Sequence, residues 1–389
     1  MITREELRHL AQVESSSSSA ISFYFQPRTP QDKSHREESI LVKDLVREAL
    51  RRSERNGNHQ ALRDDLGKIL AAAEQLRGNH SRGRAVFACT EQGIWREMDV
   101  APRLGRSQIT VNSRFHLKPL VAALSGLPHV CVALVNREKA RIFEFREEGL
   151  VQKPDLEFGE LPHIGRSDGY SGYDAGHRER HLENEVMQHF KQFAESLQIL
   201  MTRDKFDTLL IGCHDDSWPE LQTHLTTGLK QRLAGRFLID PVTASAEEVR
   251  AQASRILEER AASEQQALIR EVLGEAQRNA RGAVGLRHVL NALERQEVQV
   301  LLVDRNFHAE AVECRNCHHL DTRMVRQCAV CGKETHALGD ISDALVDWAL
   351  RNGAAIQFVE GDAGLEKAGR VGALLRFRAD QNTAVKTAV

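Results

Sequence analysis

No run in the 389 residues is long and apolar enough to cross a bilayer, and the charged opening "MITREELRHLAQV" lacks the hydrophobic core of a secretory signal. Aromatic residues are few, at 5%, and the formal charge is only -2. A near-neutral chain has no whole-molecule basic field to gather nucleic acid, so any RNA contact has to be local. These absences lead to the expectation of a cytoplasmic protein that does not associate with membrane. What is present, 41% apolar and 28% charged residues, is the composition of a globular chain. At this length two or three domains are expected, since a single core stops growing earlier.

Cysteine is sparse as well, with seven in all. Cys89, Cys131 and Cys213 lie in the apolar runs "AVFACT", "HVCVALV" and "TLLIGC", where a reduced thiol serves as a small core residue. The other four are gathered in "CRNCHHLDTRMVRQCAVCG". Cys314, Cys317, Cys328 and Cys331 are spaced C-x2-C-x10-C-x2-C. Each C-x2-C knuckle lets two thiolates converge on one ion, and two knuckles complete a tetrahedron. A reducing compartment disfavours disulfides between them. The expectation is a zinc ribbon over residues 312–335 holding structural Zn2+, with no open coordination position for water. His318, His319 and His336 lie close enough in sequence to replace a thiolate, a weaker alternative.

Along the chain, "AISFYFQP" reads as a strand after a serine run at 15–19 that is expected to be a flexible joint. Apolar residues recur at three- and four-residue steps through 35–76, broken at 55–59, which predicts two helices. "GRAVFACT", "GIWREMDV" and "SQITVNS" follow as strands, completing an α+β unit. A strand–turn–strand pattern around residues 136–139 opens a second unit. Its long helix carries the stripe Leu182, Val186, Phe190, Phe193, Leu197 and Leu200. Beyond it come a strand at "FDTLLIGC", a helix over 217–234, a strand at "GRFLIDP" and a charged helix over 245–281. The last unit alternates helix and strand around the cysteine cluster, an α/β/α arrangement with one insertion. The expected domains are 1–124, 125–262 and 263–389, a multidomain α/β chain.

The stretch "GRSDGYSGYDAGHRERHLENEV", residues 165–186, is the other concentration of chemistry. Asp174, His177, His181 and Glu185 approach metal-ligand spacing, but no H-E-x-x-H is present, and a polar, solvated helix start accounts for them better. Ser171 sits in a G-x-S-x-G look-alike without the strand that a nucleophile elbow requires. Tyr170 and Tyr173 interleave with Arg166, Arg178 and Arg180, the residue types that stack on unpaired bases and pair with phosphates. Arg47, Arg51, Arg52, Arg55, Arg103, Arg106 and Arg114 form a second basic set, read mainly as solvated faces with RNA contact as the alternative.

Taken in order, "ISFYFQP", "HVCVALVNREKARIFEF", "GLRHVLNALERQEVQVLLVD", the two knuckles, "ISDALVDWALRNGAAIQFVEG" and "GALLRF" resemble the archaeal and eukaryotic class-I peptide chain release factor and Pelota family. The resemblance spans all three units and is strongest to the bacterial branch that includes Balon-like ribosome hibernation factors. It implies an α+β N-terminal domain toward the decoding centre and an RNase-H-like middle domain with a loop over 159–181. It also implies a last domain similar to kink-turn-binding ribosomal proteins, with the zinc ribbon inserted. Release factors of this family carry Gly-Gly-Gln in the middle-domain loop and Asn-Ile-Lys-Ser in the first domain. Neither string occurs here. The resemblance therefore implies a non-enzymatic ribosome-binding translation factor that occupies the A site, in hibernation under stress. Its partners would be ribosomal RNA at the decoding and peptidyl-transferase centres and elongation factor Tu or another translational GTPase. On this reading Arg166, Tyr170, Tyr173, His177, Arg178, Arg180 and His181 form a contact loop. The rival readings are rescue or peptidyl-tRNA hydrolysis, a metal-dependent nuclease built on residues 165–185, and a general structured-RNA binder.

Overall fold

Six consecutive residues, Ala20–Phe25 (β1), are all buried in the computed structural model. The structure describes residues 4–16, 18–26, 36–53, 59–74, 83–100, 107–124, 129–146, 149–152 and 175–378. Side chains alternate across a strand, so β1 serves two cores at once. Ile21, Phe23 and Phe25 face Val42 and Ala49 of Arg36–Ser53 (α2) and Leu62, Leu66 and Ile69 of His59–Glu74 (α3). Ala20 and Tyr24 face the other way. Three more strands, Gly83–Cys89 (β2), Ile94–Val100 (β3) and Gln108–Asn112 (β4), complete an antiparallel sheet in the order β3-β2-β1-β4. Its second face is covered by Leu7 and Leu10 of Arg4–Gln12 (α1) and Leu120 of Lys118–Leu124 (α4). The same core continues into the C-terminal part of the chain, so residues 1–125 and 265–389 form one compact unit. Each large side chain so buried contributes about 1.5–3 kcal/mol.

Ser15, Ser16 and Ser19 are tied down where a flexible joint was expected. The Ser15 N–H donates to the Ser113 carbonyl at 2.7 Å, its hydroxyl reaches Glu91 at 2.6 Å, and the Ser19 N–H returns to Ser15 Oγ at 2.9 Å. Short hydroxyl side chains bond neighbouring backbone readily, which gives a polar run a defined path without an apolar core.

Residues 126–264 form the second unit. Val130–Val135 (β5), Ala140–Arg146 (β6) and Gly149–Gln152 (β7) are antiparallel. After the helix Ala175–Arg203 (α5), Thr208–Gly212 (β8) pairs parallel with β5, and Leu233–Phe237 (β9) pairs parallel with β8, giving the order β7-β6-β5-β8-β9. The β5–β6 turn closes on Asn136, whose side-chain oxygen accepts the N–H groups of Glu138 and Lys139. One sheet face meets Val186, Phe190, Phe193, Leu197 and Leu200 of α5, the stripe legible in sequence. The other face meets Val249 and Ala253 of Ala246–Gln277 (α8). The single helix expected over 217–234 is instead two, Trp218–His224 (α6) and Thr227–Arg232 (α7). Leu225 turns to extended backbone, and Thr226 caps a new helix by accepting the Leu229 N–H.

The C-terminal part opens on the second half of α8, whose Ile269 and Val272 are buried. It continues with Gly282–Val284 (β10), Leu286–Glu294 (α9) and Val298–Asp304 (β11). Ala311–Cys314 (β12), Leu320–Asp321 (β13) and Thr335–Leu338 (β14) make a separate small sheet in the order β13-β12-β14. Ser342–Arg351 (α10), Ala355–Val359 (β15), Ala363–Lys367 (α11) and Val371–Leu375 (β16) complete a second sheet ordered β10-β16-β11-β15. Leu301 and Val303 face α9 and α10, while Leu302 faces the α8 side, giving α/β/α layering with the small sheet inserted.

Gly282 shows how close this packing is. A Cβ there would lie 2.3 Å from the Ala276 nitrogen and 2.5 Å from the Val272 carbonyl oxygen, both rigid backbone atoms. Gly282→Ala is expected to destabilise the full chain by about 1–3 kcal/mol, read as a lower midpoint in urea unfolding; an unchanged midpoint would contradict the packing.

Candidate metal centre

Cys314 ends β12 and Cys328 begins the return toward β14, so strand pairing brings the two knuckles face to face. In the first, the Cys314 N–H donates to the His319 carbonyl at 3.0 Å and the Asn316 N–H points at Cys314 Sγ, 3.4 Å away. His318 adopts φ 58° to let that turn close. The second is built alike: the Cys328 N–H donates to the Lys333 carbonyl at 2.8 Å, and the Val330 N–H points at Cys328 Sγ at 3.3 Å. Gly332, at φ 71°, supplies the left-handed residue.

The sulfur atoms of all four cysteines lie within 4.8 Å of one another, with Cys314–Cys331 at 3.3 Å and Cys317–Cys328 at 3.5 Å. Four sulfurs on one tetrahedral ion at about 2.3 Å stand about 3.8 Å apart, inside that range. The electrostatics lead to the same conclusion. The N–H groups of Cys317 and Asn316 draw the Cys314 thiol down to about 6. The His319 N–H favours the Cys317 thiolate, but burial and the sulfurs of Cys331, Cys328 and Cys314 outweigh it, pushing that thiol up to about 12. Four sulfurs this close cannot all carry charge without a cation between them. The donor set fits a metal ion, and a tetrathiolate would leave no position open for water. Among the described residues no other group of three or more such side chains is placed to hold a metal.

Around this cluster lies a polar network that local sequence reading does not reveal. Arg114 donates from Nη1 to Glu313 Oε1 at 2.6 Å and contacts Glu14 at 3.3 Å and His318 Nδ1 at 2.5 Å. Only 10% of the Arg114 side chain is exposed, so it belongs to this network and not to a basic RNA-facing surface. His336 of β14 lies across from Glu313, 3.7 Å away. Asp347, buried on α10, has its carboxyl pushed up to about 8, because burial outweighs the pull of Arg114 and Arg351. The only signal in sequence was an acid within the apolar run of "ISDALVDWAL"; of the two arginines beside it, Arg351 is four residues on and Arg114 more than two hundred away.

The other sequence candidates fall differently. Cys89, Cys131 and Cys213 are buried thiols. Arg166, Tyr170, Tyr173, Ser171 and Asp174 lie outside the described residues. So do the side chains of His177, Arg178, Arg180 and His181, whose backbone forms the first turns of α5. A cleft at the ends of β8 and β9, lined by His214, Asp215, Asp216 and Asp240, holds carboxylates that already have partners. Asp215 pairs with Arg236 at 2.6 Å, Asp216 accepts from Ser217, and Asp240 accepts from Val242 and Thr243. No described helix is long and apolar enough to cross a membrane.

One family model matches part of the chain. Residues 116–281 match the model of bacterial archaeo-eukaryotic release factor family 10. Among solved structures the chain is similar to Pelota of Archaeoglobus fulgidus, at 14% identity over 97% of this chain and 93% of that one, with a TM-score of 0.36. It is similar to the archaeal translation termination factor aRF1 at 17% identity, over 97% and 99% of the two chains, with a TM-score of 0.24. For Dom34 of S. cerevisiae, a translation termination-like factor, the values are 10%, 96%, 93% and 0.41. No curated protein matches the chain.

Two outcomes are expected. Metal analysis of purified protein should give close to one zinc per chain, and Cys328→Ser should lower that content; a chain free of zinc would contradict the tetrathiolate reading. The second concerns pH. A carboxyl whose pKa is raised by folding is bound to its proton in the native state and contributes stability below its unfolded value near 3.8, lost as pH rises toward 8. Asp347→Asn should therefore gain thermal stability over the wild type as pH rises from 5 to 8, by about 1–3 kcal/mol. A difference between the two that does not change with pH would contradict the burial of an ionisable group there.

Proposed function

We infer that the chain belongs to a bacterial branch of the archaeal and eukaryotic release-factor and Pelota family and has a role on the ribosome. It acts as a ribosome-binding translation factor that occupies the A site without hydrolysing peptidyl-tRNA, in hibernation under stress. The observation that carries this reading is the family match over the middle unit, combined with the absence from the whole sequence of the Gly-Gly-Gln that release factors place before the long helix. Without that glutamine the chain has no group to position water at the ester. Without Asn-Ile-Lys-Ser it has no string for reading a stop codon.

The strand order of the middle unit supports an RNase-H-like domain, with three antiparallel strands followed by two parallel ones. The α/β/α layering of the last part, interrupted by the cysteine-bearing sheet, supports the kink-turn-binding type of domain with a zinc ribbon. On this reading residues 1–124 approach the decoding centre. The loop over 159–181 approaches the peptidyl-transferase centre through Arg166, Tyr170, Tyr173, His177, Arg178, Arg180 and His181. The last domain faces elongation factor Tu or another translational GTPase. The zinc is structural and the location cytoplasmic.

The protein is expected to co-sediment with 70S ribosomes from starved cells and to release no peptide from ribosomes loaded with peptidyl-tRNA. Recovery only in ribosome-free fractions, or peptide release that His177→Ala with His181→Ala abolishes, would overturn the reading.

A further inference from the structure

Arg114 stands 200 residues from the cysteine cluster in sequence, yet its contacts within the ribbon are to residues adjacent to the clustered cysteines. Glu313 precedes Cys314, and His318 follows Cys317. The third contact, Glu14, belongs to the N-terminal segment itself, where the Ser15 N–H ties to the Ser113 carbonyl next to Arg114. Beside it, Arg351 of α10 donates from Nε to the Ala11 carbonyl at 2.7 Å. Both members of the central pair are nearly enclosed, with 10% of the Arg114 side chain and 7% of the Glu313 side chain exposed.

We propose that Arg114 links the cysteine site to the N-terminal segment, so that metal binding at the four thiolates and the seating of residues 4–16 and 107–116 against the ribbon are one coupled equilibrium. The inference rests on the reading of the four cysteines as a metal centre. A guanidinium does not give up its charge, so once enclosed it must keep its partners. Two of those partners, Glu313 and His318, flank the first knuckle. Metal bonds from Cys314 and Cys317 hold Glu313 and His318 where Arg114 meets them. Freed of that constraint, the short β12–β13 turn is held by two backbone hydrogen bonds, Cys314 N–H to the His319 carbonyl and His318 N–H to the Cys314 carbonyl, and Arg114 keeps only Glu14 as a partner outside the ribbon. Thermodynamic linkage requires the converse: an Arg114 that fixes Glu313 and His318 must strengthen metal binding by the same factor. Groups that orient metal ligands from one shell out commonly change affinity by about ten- to a hundredfold. Arg114 is thus a positioning residue for the metal centre, and the metal is a latch on the first segment.

A plain structural ion pair would cost stability when removed and leave metal affinity unchanged, which gives the test its discrimination. Zinc affinity of the full chain is measured by competition with a chromophoric chelator, in wild type and in Arg114→Gln. The variant is expected to bind zinc about ten- to a hundredfold more weakly. Glu313→Gln, which also removes the charge pair, should fall in the same range. Hydrogen exchange of the wild type, with and without chelator, needs no variant to fold. Removing zinc should accelerate exchange at Ser15 and through 108–112 while leaving α5 residues 190–200 unchanged. Equal zinc affinity in wild type and Arg114→Gln, or exchange in 4–16 and 107–116 indifferent to chelation, overturns the linkage and leaves the metal reading standing. A wild type that binds no zinc in the first titration overturns both.

Discussion

The strand Ala20–Phe25 buries six consecutive side chains, and a strand can do so only when something covers each face of its sheet. On one face the chain supplies its own cover, in α2 and α3. On the other, α1 and α4 are too short to finish the work, and the core is completed by residues of α9, α10 and the last sheet. Tyr24 illustrates the constraint: it is fully enclosed, and its hydroxyl donates a hydrogen bond to the His116 carbonyl at 2.5 Å. Burial raises its own pKa well above the ordinary value, so the proton stays. The two ends of the sequence are therefore held together by apolar area first. Polar contacts add to this, Arg114–Glu313, His116–Asp343 and Lys118–Ser342 among them.

The cysteine-bearing sheet is too small to be stable by burial alone, since its strands are two to four residues long. Its shape depends on knuckle hydrogen bonds, and its four convergent sulfurs fit a metal ion. An element with so little core of its own would respond to an ion held there. The same element touches the first segment through Glu313 and His318, so a local chemical event has a route to a distant part of the chain.

Much of this was legible in sequence where periodicity or spacing carries the information. The α5 stripe, the paired helices of the first segment, the hairpin around Asn136 and the two cysteine knuckles are all local patterns with one physical reading each. What was not legible had partners far away or balanced competing preferences. Ser15 looked like part of a linker because its acceptors, Ser113 and Glu91, lie tens of residues on. Arg114 looked like a basic surface residue because charge in sequence carries no sign of burial; Glu313 decides its place. The break between α6 and α7 turns on one capping threonine that a helix could equally have absorbed. The proposed contact loop, residues 165–181, rests on sequence alone, on its interleaved tyrosines and arginines.

The family match over residues 116–281 and the missing tripeptide are what support the proposed role as an occupant of a ribosomal site. The most direct measurement is a cryo-EM map of 70S ribosomes carrying this protein. The account predicts density for the chain in the A site, with residues 1–124 toward the decoding centre and residues 165–181 beside the peptidyl-transferase centre, next to intact tRNA. Density elsewhere on the ribosome, or that loop turned away from the peptidyl-transferase centre, would contradict it.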